Sequence, residues 1–288
     1  MPDTWTVGSV KVTAIVESET PTSPRFLFDG VSKDDVIARA EAAPWLKGAF
    51  VNDQGYLLQR IQCFVVDTGS ERIAVDTCVG NDKIRHNPQW NQLQTSFLDD
   101  MAEAGYPADS ITHVVCTHLH DDHIGWNTRL VDGQWVPTFP NARYVFAAPE
   151  VEHWQAEAGL FDGQNVFADS VAPVLDAGQA DLVGLGHQIG DSVRFVATTG
   201  HTPGHVSLEI SSGNSRSIIT GDMTHTPIQI ADPDLSSMFD TNSDEARATR
   251  RRVFPDWADG ETLIIGTHFG GPTAGTMVPD GDGYRLVW

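Results

Sequence analysis

Val114-Val115-Cys116-Thr117-His118-Leu119-His120-Asp121-Asp122-His123 decides the reading: an apolar strand runs straight into six residues that carry three imidazoles and two carboxylates. On extended backbone, residues two apart point the same way, so His118 and His120 are expected to converge on one ion. The chain then turns through Ile124-Gly125-Trp126, which lets Asp122 and His123 face a second ion. Neutral imidazole with carboxylate is the donor set favoured by zinc and its first-row neighbours. A purely packing role is disfavoured, because buried imidazoles crowded together without an ion would leave polar groups unpaired.

Working outward, three further stretches repeat one arrangement, a short apolar strand ending in potential ligands beside glycine. Val193 to Ala197 leads to Gly200-His201-Thr202-Pro203-Gly204-His205, Ser217 to Thr220 leads to Gly221-Asp222, and Leu263 to Gly266 leads to Thr267-His268. Side chains at the ends of several strands of a sheet meet in a shared crevice, where α/β proteins place their ligands. Five histidines and two aspartates are therefore expected to gather.

Taken together, H-x-H-x-D-H, G-H-T-P-G-H, G-D and a late T-H resemble the signature of the metallo-β-lactamase-fold superfamily, over residues 60 to 270. The resemblance implies an α/β fold, the four-layer αββα sandwich of two mixed sheets flanked by helices. It also implies one divalent ion held by His118, His120 and His205, a second held by Asp122, His123 and His268, and Asp222 bridging them. Zinc heads the candidate metals, and manganese, iron, cobalt and nickel accept the same donors.

Other residues near these motifs are read more plainly. His201 is expected to support the site rather than ligate, since the second histidine of G-H-T-P-G-H is the ligand in the superfamily. Asp76 ends the apolar run Ile73-Ala74-Val75, and the resemblance implies that it braces the metal loop by hydrogen bonds. His225 stands three residues after Asp222, where acyl-homoserine lactonases of the superfamily usually carry a tyrosine that contacts the substrate carbonyl. The pattern G-D-x-x-H resembles instead the branch of methyl-parathion-type hydrolases and their lactonase relatives, and His225 is taken as a candidate substrate contact.

The rest of the chain bounds the reading. Its 288 residues are 40% hydrophobic and 20% charged, enough to bury a core, and no linker or repeat divides them, so one domain over residues 1–288 is expected. A net charge of −21 repels nucleic acid and anionic membranes. The start, Met1-Pro2-Asp3-Thr4-Trp5, lacks the features of an export signal, and no apolar run approaches the roughly 20 residues of a membrane span, so a cytoplasmic location is expected. Cys63, Cys78 and Cys116 are expected to be buried, reduced thiols.

Strands are predicted over residues 7–16, 56–66, 73–75, 111–116, 143–146, 193–197, 206–210, 217–220 and 262–266. Helices are predicted after Ser32, from Phe97, over 149–157, over 165–175 and over 243–257. The segment 26–50 combines aromatics with a short helix and is read as a lid or a homodimer interface. Phe26 to Phe28, Trp45 to Phe50, Trp90, Trp126 and Trp154 are candidate pocket walls. No nucleophile elbow, P-loop or dinucleotide fingerprint is present, which argues against covalent catalysis and nucleotide cofactors; two ions so held point to hydrolysis by a bridging hydroxide, and the resemblance implies that Asp122 moves a proton. A lactone or other carboxylic ester is the expected small-molecule substrate. A phosphotriester or phosphodiester hydrolase, and a metal-binding sensor without turnover, are the alternatives.

Overall fold

The computed structural model describes residues 2–157 and 166–288. In chain order the first elements are β1 (Thr4–Val7), β2 (Val10–Thr22), α1 (Pro24–Leu27), α2 (Lys33–Ala42), β3 (Leu57–Asp67), β4 (Arg72–Val75), α3 (Phe97–Glu103) and β5 (His113–Val115). Next come β6 (Thr128–Val131), β7 (Gln134–Pro137), β8 (Arg143–Ala147), α4 (Ala148–Glu157), α5 (Val166–Ser170), α6 (Ala172–Asp176), β9 (Ala180–Val183) and β10 (Gln188–Ile189). The last are β11 (Val193–Ala197), β12 (Val206–Ser212), β13 (Ser215–Ile219), α7 (Ile228–Ala231), α8 (Ser243–Trp257), β14 (Leu263–Ile265), β15 (Ala274–Asp280) and β16 (Gly283–Val287). Contacts divide the chain into two compact units, one of Met1–Glu17 with Ile61–Ser192 and one of Ser18–Arg60 with Val193–Trp288.

The first unit is built on a sheet of order β1-β2-β3-β4-β5-β8-β9. Its hairpins are antiparallel, whereas β4, β5, β8 and β9 run parallel, so the sheet is mixed. Val114, Tyr144 and Phe146 of the parallel strands are fully buried, as near-continuous apolar runs require when a strand is covered on both faces. Phe97 and Met101, four apart on α3, pack into the same core with Cys63 and Cys116. All three cysteines are buried and free.

The second unit carries β11 to β16 in sequential order, antiparallel except for the parallel pair β13 and β14. Along β11, Val193 and Phe195 are buried while Arg194 between them is exposed, the period of a strand with one covered face. Asn242 caps α8 by accepting the Glu245 N–H, and Ala246, Arg250, Val253, Phe254 and Trp257 form its buried stripe. Helix α2 opens with a capping box, Ser32 and Asp35 each accepting the other's backbone N–H. Val36 and Ala40 of that helix, with Leu27, Phe28, Leu46 and Phe50, lie in the core of this unit, while Phe26 is exposed.

The expected mixed α/β architecture is thus present, with its site-bearing strands close to the residues predicted. The predicted helix 165–175 is two short helices, because Pro173 opens α6 and Val171 leaves the helical region before it; Asn165 lies outside the described residues. The hairpin of β6 and β7 was not predicted, although its turn residues Asp132 and Gly133 both take the positive φ that such turns demand. Among the described residues no helix is long and apolar enough to cross a membrane.

One charged cluster lies inside the first unit. Lys83 and Arg85, both fully buried, share the carboxylate of Asp169. Arg85 takes it with two nitrogens at 2.7 and 3.1 Å, while the Lys83 ammonium donates to the Thr128 hydroxyl and the Asp169 carbonyl and lies 3.5 Å over the Trp135 ring. Burial, and then the like charge of Arg85, outweigh the attraction of Asp169 and push the Lys83 ammonium down to about 7. A lysine with a lowered folded-state pKa binds fewer protons folded than unfolded above that value. Stability from this group therefore rises as pH climbs from about 7 towards its unfolded pKa of 10.5. Lys83→Met is expected to remove up to about 1.4 kcal/mol of stability gain per pH unit in that window, read by urea unfolding at stepped pH; an unchanged slope would refute this assignment.

Candidate metal centre

In the first unit the histidine run is positioned by the ends of β4 and β5. Strand pairing brings Val75 beside Val115, and the Asp76 N–H continues the ladder to the Val115 carbonyl at 2.9 Å. The chain then bends sharply, with Asp76 and Cys78 both in the left-handed region at φ 54 and 53°, a conformation that costs a non-glycine residue energy. The bend turns the Asp76 carboxylate onto the next loop, where it accepts from the Thr117 N–H at 2.7 Å and the Thr117 hydroxyl at 2.9 Å. It also lies 3.1 Å from His123 Nδ1. Asp76 therefore braces the loop, as its place in the sequence suggested.

The loop is stitched from both sides. The Thr77 N–H donates to the His123 carbonyl and the Gly125 N–H to the Cys78 carbonyl, at 2.6 and 2.7 Å. Gly125 is obligatory, since a Cβ there would lie 1.7 Å from the Val79 carbonyl oxygen. Glu17 accepts from the Val79 N–H and from the Trp126 indole, and Glu150 accepts from the Leu119 N–H and the Trp154 indole. Within this frame Thr117 Oγ1 lies 3.1 Å from His118 Nδ1, which leaves His118 Nε2 aimed 2.9 Å from His120 Nδ1. His123 Nε2 lies 3.5 Å from the Asp122 carboxylate. Asp121 beside it is pushed up to about 7 by burial and then by the charge of Asp122.

In the second unit the organising group is the Asp222 carboxylate, which is 4% exposed. Its Oδ1 lies 3.1 Å from His268 Nε2, and its Oδ2 lies 3.3 Å from His225 Nε2 and 3.7 Å from His201 Nε2. The Asp222 N–H donates to His205 Nε2 at 2.8 Å. Three histidines of this unit have their other ring nitrogen against a protein oxygen: His205 Nδ1 on the Thr198 hydroxyl at 2.9 Å, His268 Nδ1 on the Arg60 carbonyl at 2.8 Å, and His201 Nδ1 on Asp240 at 3.0 Å. Such outer contacts fix the tautomer and aim Nε2 at an ion.

His225 differs from these. Both its ring nitrogens lack a hydrogen-bond partner, and burial holds it below the usual imidazole range. Its backbone, by contrast, is held on both sides: its N–H donates to Gln229 Oε1 at 2.7 Å, and its carbonyl accepts from Gln59 Nε2 at 3.1 Å. Arg250, fully buried, donates to the carbonyls of Met223, Pro233 and Leu235 and ties down the chain around Asp222.

This donor chemistry fits a divalent cation. Zinc takes imidazole and carboxylate donors at 2.0–2.2 Å, which sets neighbouring ligand atoms of a tetrahedron about 3.3–3.6 Å apart. The 3.3 Å spacing of Asp222 and His225 and the 3.5 Å spacing of Asp122 and His123 fall in that range, and the 3.1 and 3.7 Å spacings of Asp222 to His268 and His201 lie just outside it. His201, Asp222 and His225 also form a buried group able to hold an ion.

Each unit thus assembles its own share of the predicted residues: His118, His120, Asp122 and His123 in one, His205, Asp222, His225 and His268 in the other. Sequence reading missed Glu17, Glu150, Asp240 and Arg250, whose partners are distant along the chain. Of the candidate pocket aromatics, Trp154 lies edge-on to His120 with ring centroids 5.2 Å apart. Trp126 stacks on Phe97 at 5.5 Å within the core of the first unit, and Phe28 and Phe50 are core residues of the second. Those three fill the interior rather than wall a pocket.

Residues 58–268 match the family model described as the metallo-beta-lactamase superfamily. An N-acyl homoserine lactonase of Bacillus thuringiensis is 24% identical over 193 residues, covering 62% of this chain and 70% of that protein. An atrochrysone carboxyl ACP thioesterase of Aspergillus terreus is 26% identical over 167 residues, covering 58% of this chain and 39% of that protein. Among solved structures, AidC, a dizinc quorum-quenching lactonase in complex with a product, superposes with a TM-score of 0.78 at 20% identity, over 99% of this chain and 96% of that one.

The contacts behind the histidines yield a direct expectation. Thr198→Val, which removes the hydroxyl against His205 Nδ1, should weaken divalent-metal binding about tenfold by competition against a chelator. An unchanged affinity would mean that Thr198 does not orient His205.

Proposed function

This chain belongs to the metallo-beta-lactamase superfamily, and on that premise we propose that it is a dinuclear metal-dependent hydrolase acting on a lactone or another carboxylic ester. The observation that carries the reading is the buried Asp222 carboxylate beside His201 and His268, whose outer ring nitrogens already face the Asp240 carboxylate and the Arg60 carbonyl. The proposed ligands are His118, His120 and His205 for one ion and Asp122, His123 and His268 for the other, with Asp222 shared. Two divalent ions bound there would polarise the scissile carbonyl and lower the pKa of water.

The remaining steps belong to the protein. Asp122, half-buried and 3.5 Å from His123, accepts a proton from the attacking water and passes it to the departing alkoxide. His225 meets the substrate: neither buried ring nitrogen makes a hydrogen bond, although Nε2 stands 3.3 Å from the Asp222 carboxylate, and an ester or lactone oxygen supplies the bond that is missing. Because burial keeps His225 neutral, it meets that oxygen as a hydrogen-bond donor rather than as a fixed charge. The lactonase and thioesterase relatives, which by name hydrolyse carboxylic ester-type bonds, support this substrate class over phosphotriesters.

Metal-loaded protein is expected to open a long-chain acyl-homoserine lactone with release of a proton, and chelation to abolish the reaction. Asp122→Asn should then lower kcat about 100-fold or more with KM little changed. Near-normal turnover by a variant with full metal content would remove Asp122 from the mechanism. No ring opening by protein carrying two ions per chain would move the assignment to phosphotriesters and phosphodiesters.

A further inference from the structure

The Asp222 carboxylate serves two sets of imidazoles with its two oxygens. Oδ1 faces His268 Nε2 at 3.1 Å, whereas Oδ2 faces His225 Nε2 at 3.3 Å and His201 Nε2 at 3.7 Å. The rings of His201 and His225 meet edge to face, with centroids 4.8 Å apart and planes at 70°. One ligand atom from each of His201, Asp222 and His225 lies within 4.8 Å of the other two, and all three residues are buried. The ligand set that the family resemblance implies uses neither His201 nor His225; from this unit it takes His205, Asp222 and His268.

His225 is the residue that calls for a ligand here. Its side chain is 4% exposed, and neither ring nitrogen makes a hydrogen bond. At 3.3 Å Nε2 is near enough to Oδ2 for one, yet the two atoms are not aligned for it. Donor atoms that stand side by side in this way are placed as neighbouring ligands of one cation are, about 3.3–3.6 Å apart on a zinc tetrahedron. His201 has the backing of a ligand. Its Nδ1 lies 3.0 Å from the wholly buried Asp240 carboxylate, which the Ser237 N–H holds in turn at 2.9 Å. A carboxylate behind one imidazole nitrogen raises the basicity of the other and fixes its direction. On the other side, the bonds from Gln59 and to Gln229 anchor the backbone from which the His225 ring projects.

We propose that His201, Asp222 through Oδ2, and His225 hold a further divalent ion, zinc or a first-row neighbour, separate from the two ions of the dinuclear reading, with Asp240 aiming His201 from behind. This gives His201 a ligand's role in place of the supporting one expected from the sequence. Two imidazoles and one carboxylate favour such an ion over calcium or magnesium, which take oxygen ligands. An ion on His225 Nε2 leaves the ring proton on Nδ1, so the same side chain keeps a donor for a substrate oxygen. The site depends on no ester or lactone and is tested by metal binding alone.

The experiment strips the full chain with a chelator, dialyses it against buffered free zinc and counts the bound zinc by plasma mass spectrometry. His225→Phe keeps the bulk of the ring without its nitrogens and is expected to hold one ion fewer than the wild type. His225→Asp, which restores an oxygen ligand, is expected to regain that ion. Asp240→Asn should weaken the same ion about tenfold in competition against a chelator, with the affinity of the others unmoved. Equal zinc counts and affinities in wild type and His225→Phe overturn the site, as does a loss of every ion that His225→Asp does not reverse. Where thermal unfolding shows that His225→Phe does not fold, Asp240→Asn decides in its place, and an unchanged zinc affinity overturns the site. The double variant His118→Ala/Asp122→Ala removes donors of the first unit and is expected to keep the ion that depends on His225. A wild type with one zinc, kept in that double variant and lost in His225→Phe, upholds this site and overturns the dinuclear reading. A wild type with two, both kept in His225→Phe, does the reverse.

Discussion

A carboxylate almost wholly removed from water cannot stand without compensation, and the Asp222 carboxylate lies among the imidazoles of His201, His225 and His268. Burying a bare charge costs several kcal/mol or more, so everything around Asp222 is arranged to keep donors at a fixed distance from it. The short strands β13 and β14 end side by side and deliver Gly221-Asp222 and Thr267-His268 to one level. Arg250 and the two glutamines hold the carbonyls and N–H groups of the intervening chain, so that the polar backbone here is satisfied without competing for the site. The first unit meets the same demand differently, by bending the chain at Asp76 and lacing Thr117 to its carboxylate.

Much of this was legible because ligand chemistry is dense and local. In His118 to His123 the spacing alone announces convergence, and Gly200 to His205 and Gly221-Asp222 follow apolar runs whose strand character is plain. Residues acting at long range left no such trace. Asp240 sits 39 positions from His201 and Glu17 sits 109 from Trp126, and nothing beside either marks it as other than a solvated acid. Trp126, by contrast, invited a functional reading through its place after the histidine run, yet its ring is worth more as core against Phe97. The break at Val171 and the β6–β7 hairpin show a further limit: short elements are decided by one proline or one turn dipeptide, and periodicity over four residues carries little weight.

The two units also differ in how they handle buried charge away from the histidines. In the first, Lys83 and Arg85 share a single carboxylate, leaving an excess of positive charge that titration of Lys83 relieves. In the second, Arg250 hydrogen-bonds three backbone carbonyls directly, and the charges of Asp240, Asp234 and Asp232 act on it from further away. Buried arginine tolerates this because its delocalised cation is weakly hydrated and its fork of donors matches several carbonyls at once, which a lysine ammonium does not.

The clamp on residue 225 grips only main-chain atoms, through Gln59 on one side and Gln229 on the other. The ring itself is buried against His201 and His268 and stands 3.3 Å from the Asp222 carboxylate. Backbone and side chain at this position are therefore fixed by different partners: the glutamines set where the ring is anchored, and the cluster around Asp222 sets which way it faces. A change at either glutamine shifts the ring without removing any group beside it.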